Sequence, residues 1–121
     1  MYTYSFEKLE VWQLSRRLVK EVYTITYTFP EIEKFGLVNQ LRRAAVSISS
    51  NLAEGSSRET SKEKANFYKM SYSSLMEVLN HLILSNDLDF IKTAVLKDLR
   101  ILIDEVANKI NALRKAQLKI T

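Results

Sequence analysis

Three features of this 121-residue chain predict an all-α protein folded as an antiparallel up-down-up-down four-helix bundle. Two glycines, Gly36 and Gly55, and one proline, Pro30, leave too few turn residues for a many-stranded sheet. Apolar residues recur at helical spacing in four successive stretches. The connections between those stretches are short, as antiparallel neighbours require. Residues 1–121 are read as a single domain, and 46% apolar with 26% charged content excludes disorder as its main state.

The first helix is expected over about residues 6–28, with Ser5 as N-cap and Glu7 in its first turn. Val11, Trp12, Leu14, Leu18, Val19, Val22, Tyr23 and Ile25 fill an arc of about 180° on it. That arc exceeds what one neighbour needs, so this helix meets two neighbours or a second subunit. Pro30 and Gly36 mark the connection to a second helix, 37–54, with Gly55 expected in the left-handed closing position. Its apolar stripe is Leu37, Leu41, Ala44, Ala45, Ile48 and Leu52, and no charge occurs from Ala44 to Ala53. Gln40, Arg43, Ser47, Asn51 and Glu54 form a polar stripe at helical spacing. It fits either a tightly packed central helix with its hydroxyls bonded to the backbone, or the lining of a subunit interface or channel.

Thr60 and Glu63 make a capping box that opens a third helix over 61–86, whose apolar side carries Phe67, Tyr68, Tyr72, Leu75, Val78, Leu79, Leu82 and Ile83. After an Asp87-Leu88-Asp89 turn, the fourth helix spans 90–115. Its stripe runs Val95, Leu96, Leu99, Leu102, Ile103, Val106, Ile110 and Leu113.

Formal charge is +4, and it is unevenly placed. Residues 1–90 carry 11 basic and 11 acidic side chains, whereas residues 91–121 carry seven and three. Lys109, Arg114, Lys115 and Lys119 have no acid among them. Such a cluster serves either as a solvated helix end complementing the dipole or, repeated around a ring of subunits, as a salt-sensitive surface for a phosphate backbone.

The residues argue against catalysis. There is no cysteine, so thiol chemistry is excluded, and the one histidine, His81, has Glu77 four residues before it but no nucleophile elbow. It reads as a satisfied surface histidine. The segment Glu77-Val78-Leu79-Asn80 lacks the Glu-x-x-His spacing of di-metal bundles, and two isolated glycines make no phosphate-cradling loop. No cofactor or metal is expected. Trp12 and the six tyrosines read as core or interface anchors. No apolar run reaches a membrane-spanning length and the first residues do not read as a signal peptide, so no membrane role and a cytoplasmic location are expected.

The second helix carries Gln40-Leu41-Arg42-Arg43-Ala44-Ala45, then Ser47, then Asn51-Leu52-Ala53-Glu54-Gly55. With Phe6, Leu9 and Trp12 at the start, Pro30 before the helix, and Ser74-Leu75-x-Glu77 in the third, the chain resembles the bacterial four-helix-bundle proteins encoded in 23S rRNA intervening sequences. A related branch is the accessory variability protein of diversity-generating retroelements, a basic pentameric barrel that binds nucleic acid and a reverse transcriptase. The resemblance implies a homopentameric ring, permits nucleic-acid binding and implies no reaction. It marks Gln40, Arg42, Arg43, Ser47, Asn51, Glu54 and Glu77 as structural or interface residues.

If the second and third helices are antiparallel about Ser57, Arg42 or Arg43 comes within reach of Glu77, and a partly buried ion pair is expected there. Breaking such a pair costs about 3–5 kcal/mol, against under about 1 kcal/mol for an exposed one. The expected function is a non-catalytic homo-oligomeric scaffold that binds RNA or DNA weakly, without sequence preference, through Lys109, Arg114, Lys115 and Lys119. The alternative is a protein–protein adaptor whose partner docks on the assembly.

Overall fold

A computed structural model describes residues 1–120. Four helices run in sequence: α1, Glu10–Thr26; α2, Leu37–Ser57; α3, Ser61–Asp87; and α4, Thr93–Ile120. No strand occurs among the described residues. Neighbours in sequence are neighbours in space, and α1 also meets α4, which closes the up-down-up-down bundle and leaves α1 diagonal to α3 and α2 diagonal to α4. Leu18, Val22, Leu41, Ile48, Leu52, Leu75, Val78, Leu82, Ile103, Val106 and Ile110 are fully buried along its axis. These are apolar stripe residues of all four helices, so periodicity alone placed the core.

The first helix is shorter than the expected 6–28. Ser5–Lys8 form a separate 3-10 turn, and Leu9 is extended, with ψ 121°, before α1 begins at Glu10. Glu7 explains the break, because its carboxylate accepts from the backbone N–H of Tyr4 at 2.7 Å and closes the short turn on itself. Phe6 then packs edge-on against Trp12, with ring centroids 4.9 Å apart, and pins the turn to α1. Ser5 is accordingly no N-cap; its hydroxyl lies 3.0 Å from that of Ser56.

α2 runs three residues past the expected end, and Gly55 lies inside it without a positive φ. The glycine serves clearance instead of torsion. A Cβ there would stand 2.9 Å from Phe67 Cβ and 2.8 Å from Tyr68 Cε1. Arg58, with extended backbone, is what stops the helix. The capping box forms as expected: Glu63 N–H donates to Thr60 Oγ1 at 3.1 Å, and that hydroxyl donates to the Glu63 carboxylate at 2.9 Å.

The fourth helix begins at Thr93, not 90, and extends to Ile120. Asp89 adopts a left-handed φ of 61°, Phe90 N–H donates to the Ser85 carbonyl at 2.8 Å, and Asn86 Nδ2 donates to the Ile91 carbonyl at 3.0 Å. Those bonds hold Phe90 and Ile91 in the connection, where Phe90 packs on Phe29 at 5.4 Å.

The α2–α3 contact is the most extensive in the bundle. Ser71 Oγ donates to the backbone carbonyl of Ile48 at 2.8 Å, Ser47 and Ser74 hydroxyls meet at 2.9 Å, and Ala44, Ala45 and Ala65 are buried beside them. The polar stripe on α2 therefore divides. Ser47 and Asn51 are half-buried and bonded, Asn51 donating to the Ser47 carbonyl at 2.9 Å, while Gln40, Arg43 and Glu54 are exposed.

Gly55→Ala tests the clearance argument. Alanine favours a helix over glycine by about 1 kcal/mol, but overpacking costs about 1–3 kcal/mol. Because Phe67 Cβ cannot rotate away, a net loss of about 1 kcal/mol and a lower Tm in thermal denaturation are expected.

Candidate interaction surfaces

Antiparallel packing brings the start of α1, the end of α2, the start of α3 and the end of α4 to one end of the bundle. Lys8, Arg58, Lys62 and Lys64 thereby join Lys109, Arg114, Lys115 and Lys119, against Glu7, Glu10, Glu54, Glu59 and Glu63. Four of these five carboxylates are already engaged. Glu7 caps Tyr4, Glu63 caps α3, Glu10 lies 3.3 Å from Lys109 Nζ, and Glu54 lies 3.6 Å from Arg58. Lys8, Lys62, Lys115 and Lys119 are exposed.

The four basic residues singled out in the sequence thus differ in role. Lys115 and Lys119 face solvent, Lys109 is half-buried and paired with Glu10, and Arg114 is half-buried with its Nε buried and unpartnered. Sequence order alone does not assign Lys8, Arg58 and Lys62 to this patch. They lie far from α4 in sequence, and only the alternation of helix direction gathers them.

The expected ion pair between Arg42 or Arg43 and Glu77 does not form. The Ser47–Ser74 and Ser71–Ile48 contacts set Glu77 level with that part of α2, so the height was right and the face was wrong. Arg42 turns to α1, where its Nε donates to Thr26 Oγ1 at 2.9 Å and its guanidinium lies 4.5 Å from the Tyr23 ring and 5.3 Å from that of Tyr27. Thr26 is buried, and its hydroxyl donates to the Val22 carbonyl at 2.7 Å. Arg43 is exposed. Glu77 is exposed too, and its Oε2 lies 3.4 Å from His81 Nε2 one turn along α3.

His81 is not a surface residue. It is 9% exposed, and its Nδ1 is buried without a hydrogen-bond partner. It lines a cleft of about 410 Å³ with Leu37, Gln40, Leu84 and Leu88. On the 3-10 turn Glu31–Glu33 and just after it, Ile32 and Phe35 stand 89% and 86% exposed.

Two further grooves flank α1. The α1–α4 seam, about 590 Å³, has Ile25, Val95, Leu99, Ile101 and Leu102 as its apolar lining and Arg17, Glu21, Asp98 and Glu105 as its charged members. The α1–α2 groove, about 620 Å³, is lined by Tyr23, Asn39, Arg42, Arg43, Val46, Ser47 and Ser50, with no acidic side chain. The wide apolar arc of α1 is thus spent on both neighbours: Val11, Leu18 and Val22 are buried, and Trp12, Leu14, Val19 and Ile25 are partly so.

Among the described residues no three His, Cys, Asp or Glu side chains gather as a metal-ligand set, and no helix is long and apolar enough to cross a membrane. Burial raises the Tyr68 phenol above its ordinary titration range. It packs against Gly55 as a neutral ring.

The geometry at Arg42 makes two substitutions informative. Glu77→Gln is expected to leave Tm and particle mass unchanged, since the side chain is exposed and glutamine keeps an oxygen for the 3.4 Å contact with His81. Arg42→Ala removes a hydrogen bond to a buried hydroxyl and two ring contacts, and is expected to cost about 1–2 kcal/mol, read from chemical denaturation followed by circular dichroism.

No curated protein matches this sequence. A family model does, that of the 23S rRNA-intervening sequence protein, over residues 7–112. The match takes in the 3-10 turn from its third residue, α1, α2, α3 and most of α4, so it spans the bundle and not a fragment of it. On that coverage, the chain belongs to the 23S rRNA-intervening sequence protein family.

Proposed function

We propose that this protein is a non-catalytic homo-oligomeric scaffold, a pentameric ring in the cytoplasm, whose basic end holds RNA or DNA without sequence preference. The observation that carries the reading is the state of the charges at that end. Eight basic side chains meet five acidic ones there, and four of the five carboxylates are committed to caps or ion pairs. Exposed lysines remain on the 3-10 turn before α1, at the start of α3 and at the end of α4. Copies arranged around an axis parallel to the helices would each turn this end to the same side, multiplying a patch that is modest in one chain.

The pentamer comes from the family resemblance, and so does the kinship with the accessory protein of diversity-generating retroelements. Support for assembly from the chain itself is the open α1–α4 seam with Ile101 70% exposed at it. A second reading, a protein–protein adaptor, draws on Ile32 and Phe35, whose exposed side chains beside the His81 cleft offer an apolar foothold for a protein partner.

Light scattering on the purified protein, with and without a short single-stranded RNA, tests the scaffold. A particle near five times 14.0 kDa that takes up RNA at low salt and releases it at high salt is expected. Replacing Lys109, Arg114, Lys115 and Lys119 with Gln should weaken uptake and flatten its salt dependence by about 0.7 in log–log slope for each lost phosphate contact, with mass unchanged. Lys109 and Arg114 are expected to contribute less than Lys115 and Lys119, because the structure half-buries both. RNA uptake whose strength and salt dependence are unmoved when Lys8 and Lys62 are replaced with Gln as well would overturn the assignment to this end, and a protein captured after nuclease treatment by contacts that Phe35→Ser abolishes would favour the adaptor.

A further inference from the structure

We propose that the α1–α2 groove of one copy receives the face of α4 around Ile101 from a second copy, with Ile101 seated against Val46 and the Asp98 carboxylate facing Arg42 and Arg43. This rests on the oligomeric reading above and names the two surfaces that join.

The groove has the character of an acceptor for acidic side chains. Two arginines line it, no acid does, and among the described residues no carboxylate lies within ion-pair distance of either guanidinium. Arg42 is already oriented, with Nε tied to a buried hydroxyl and its plane against the Tyr23 ring, so little side-chain freedom is left to lose when an anion arrives. Val46, 40% exposed, supplies an apolar floor between the polar positions.

The complement stands on α4. Ile101 is 70% exposed in the middle of that helix, a large aliphatic side chain with no partner in its own chain to bury it. Asp98 and Glu105 lie three residues before and four after it, on the same face, and neither is ion-paired among the described residues. In parallel copies α4 and α2 run the same way, so Asp98, three residues before Ile101, comes level with Arg42 and Arg43, four and three residues before Val46, while Glu105 comes level with Ser50. Charge complementarity of this kind selects the register of a contact and speeds its formation.

The two surfaces are different patches, so the contact is heterologous, and repeated contacts build either a closed ring or an open filament. Height decides between them. Ile101 lines its seam beside Arg17 and Glu21, and Val46 lines its groove beside Tyr23, so along α1 the two surfaces lie within about one turn of Glu21 and Tyr23. They also flank one helix instead of standing back to back. Parallel copies joined at matching height turn from one to the next without rising, which closes a ring with the basic ends all on one side.

The test is charge reversal with rescue, read as mass by light scattering at low ionic strength, with circular dichroism confirming that each variant stays helical. Both positions changed are exposed, which keeps the fold out of the comparison. Arg43→Glu and Asp98→Lys are each expected to drop the mass toward 14.0 kDa, and the two changes together to restore it. An oligomer unmoved by either variant, or not restored by the combination, overturns this interface and leaves the scaffold standing. A wild-type protein that is monomeric overturns both, and an oligomer that loses only its affinity for an added acidic peptide on Arg43→Glu shows that the groove serves another partner.

Discussion

The close approach of α2 and α3 is the constraint on which the remaining geometry depends. Gly55, Ala44, Ala45 and Ala65 give up side-chain volume so that the helices can touch, and Ser71 turns that nearness into a hydrogen bond on the Ile48 carbonyl. Small residues contribute little hydrophobic area of their own. Their effect is to let large neighbours such as Leu75, Ile48 and Tyr68 meet across the interface at interior density. Once this pair is set, the height of every residue on α2 and α3 follows.

Alternating helix direction does the rest for electrostatics. The chain distributes lysines among four segments with no local run, and antiparallel packing brings the starts of α1 and α3 and the ends of α2 and α4 together. Acidic residues are present at the same end, yet they are consumed by caps and by ion pairs with Lys109 and Arg58. What matters for a phosphate-bearing partner is the charge left over after these internal contacts, and the unpaired lysines hold most of it. The other half of the bundle mixes both signs and presents grooves instead of a patch.

Much of this was legible in the sequence, and the exceptions have physical causes. Helix number, the apolar stripes and the Thr60–Glu63 capping box follow from local spacing, and local spacing is what one sequence displays. The break at Leu9 is not legible because Glu7 equally suits the first turn of a helix, whereas its carboxylate closes a shorter turn on Tyr4. Gly55 suits a torsional stop by sequence because glycine is used for torsion and for clearance alike, and only the position of Phe67 and Tyr68 tells them apart. Arg42 shows the same limit: register along α2 and α3 could be counted, but the azimuth that turns Arg42 toward Tyr23 and away from Glu77 depends on where α1 lies.

The clearance at Gly55 also bears on how such a bundle can diverge. Shrinking Tyr68 would not open the site to a larger residue, because Phe67 Cβ stands equally close and every residue but glycine carries that atom. A change at position 55 has to wait for the whole of α3 to slide or tilt, and such a shift disturbs each serine and alanine along the contact. α2 and α3 are therefore tied as one block, in which a larger residue at position 55 demands matched changes along both helices.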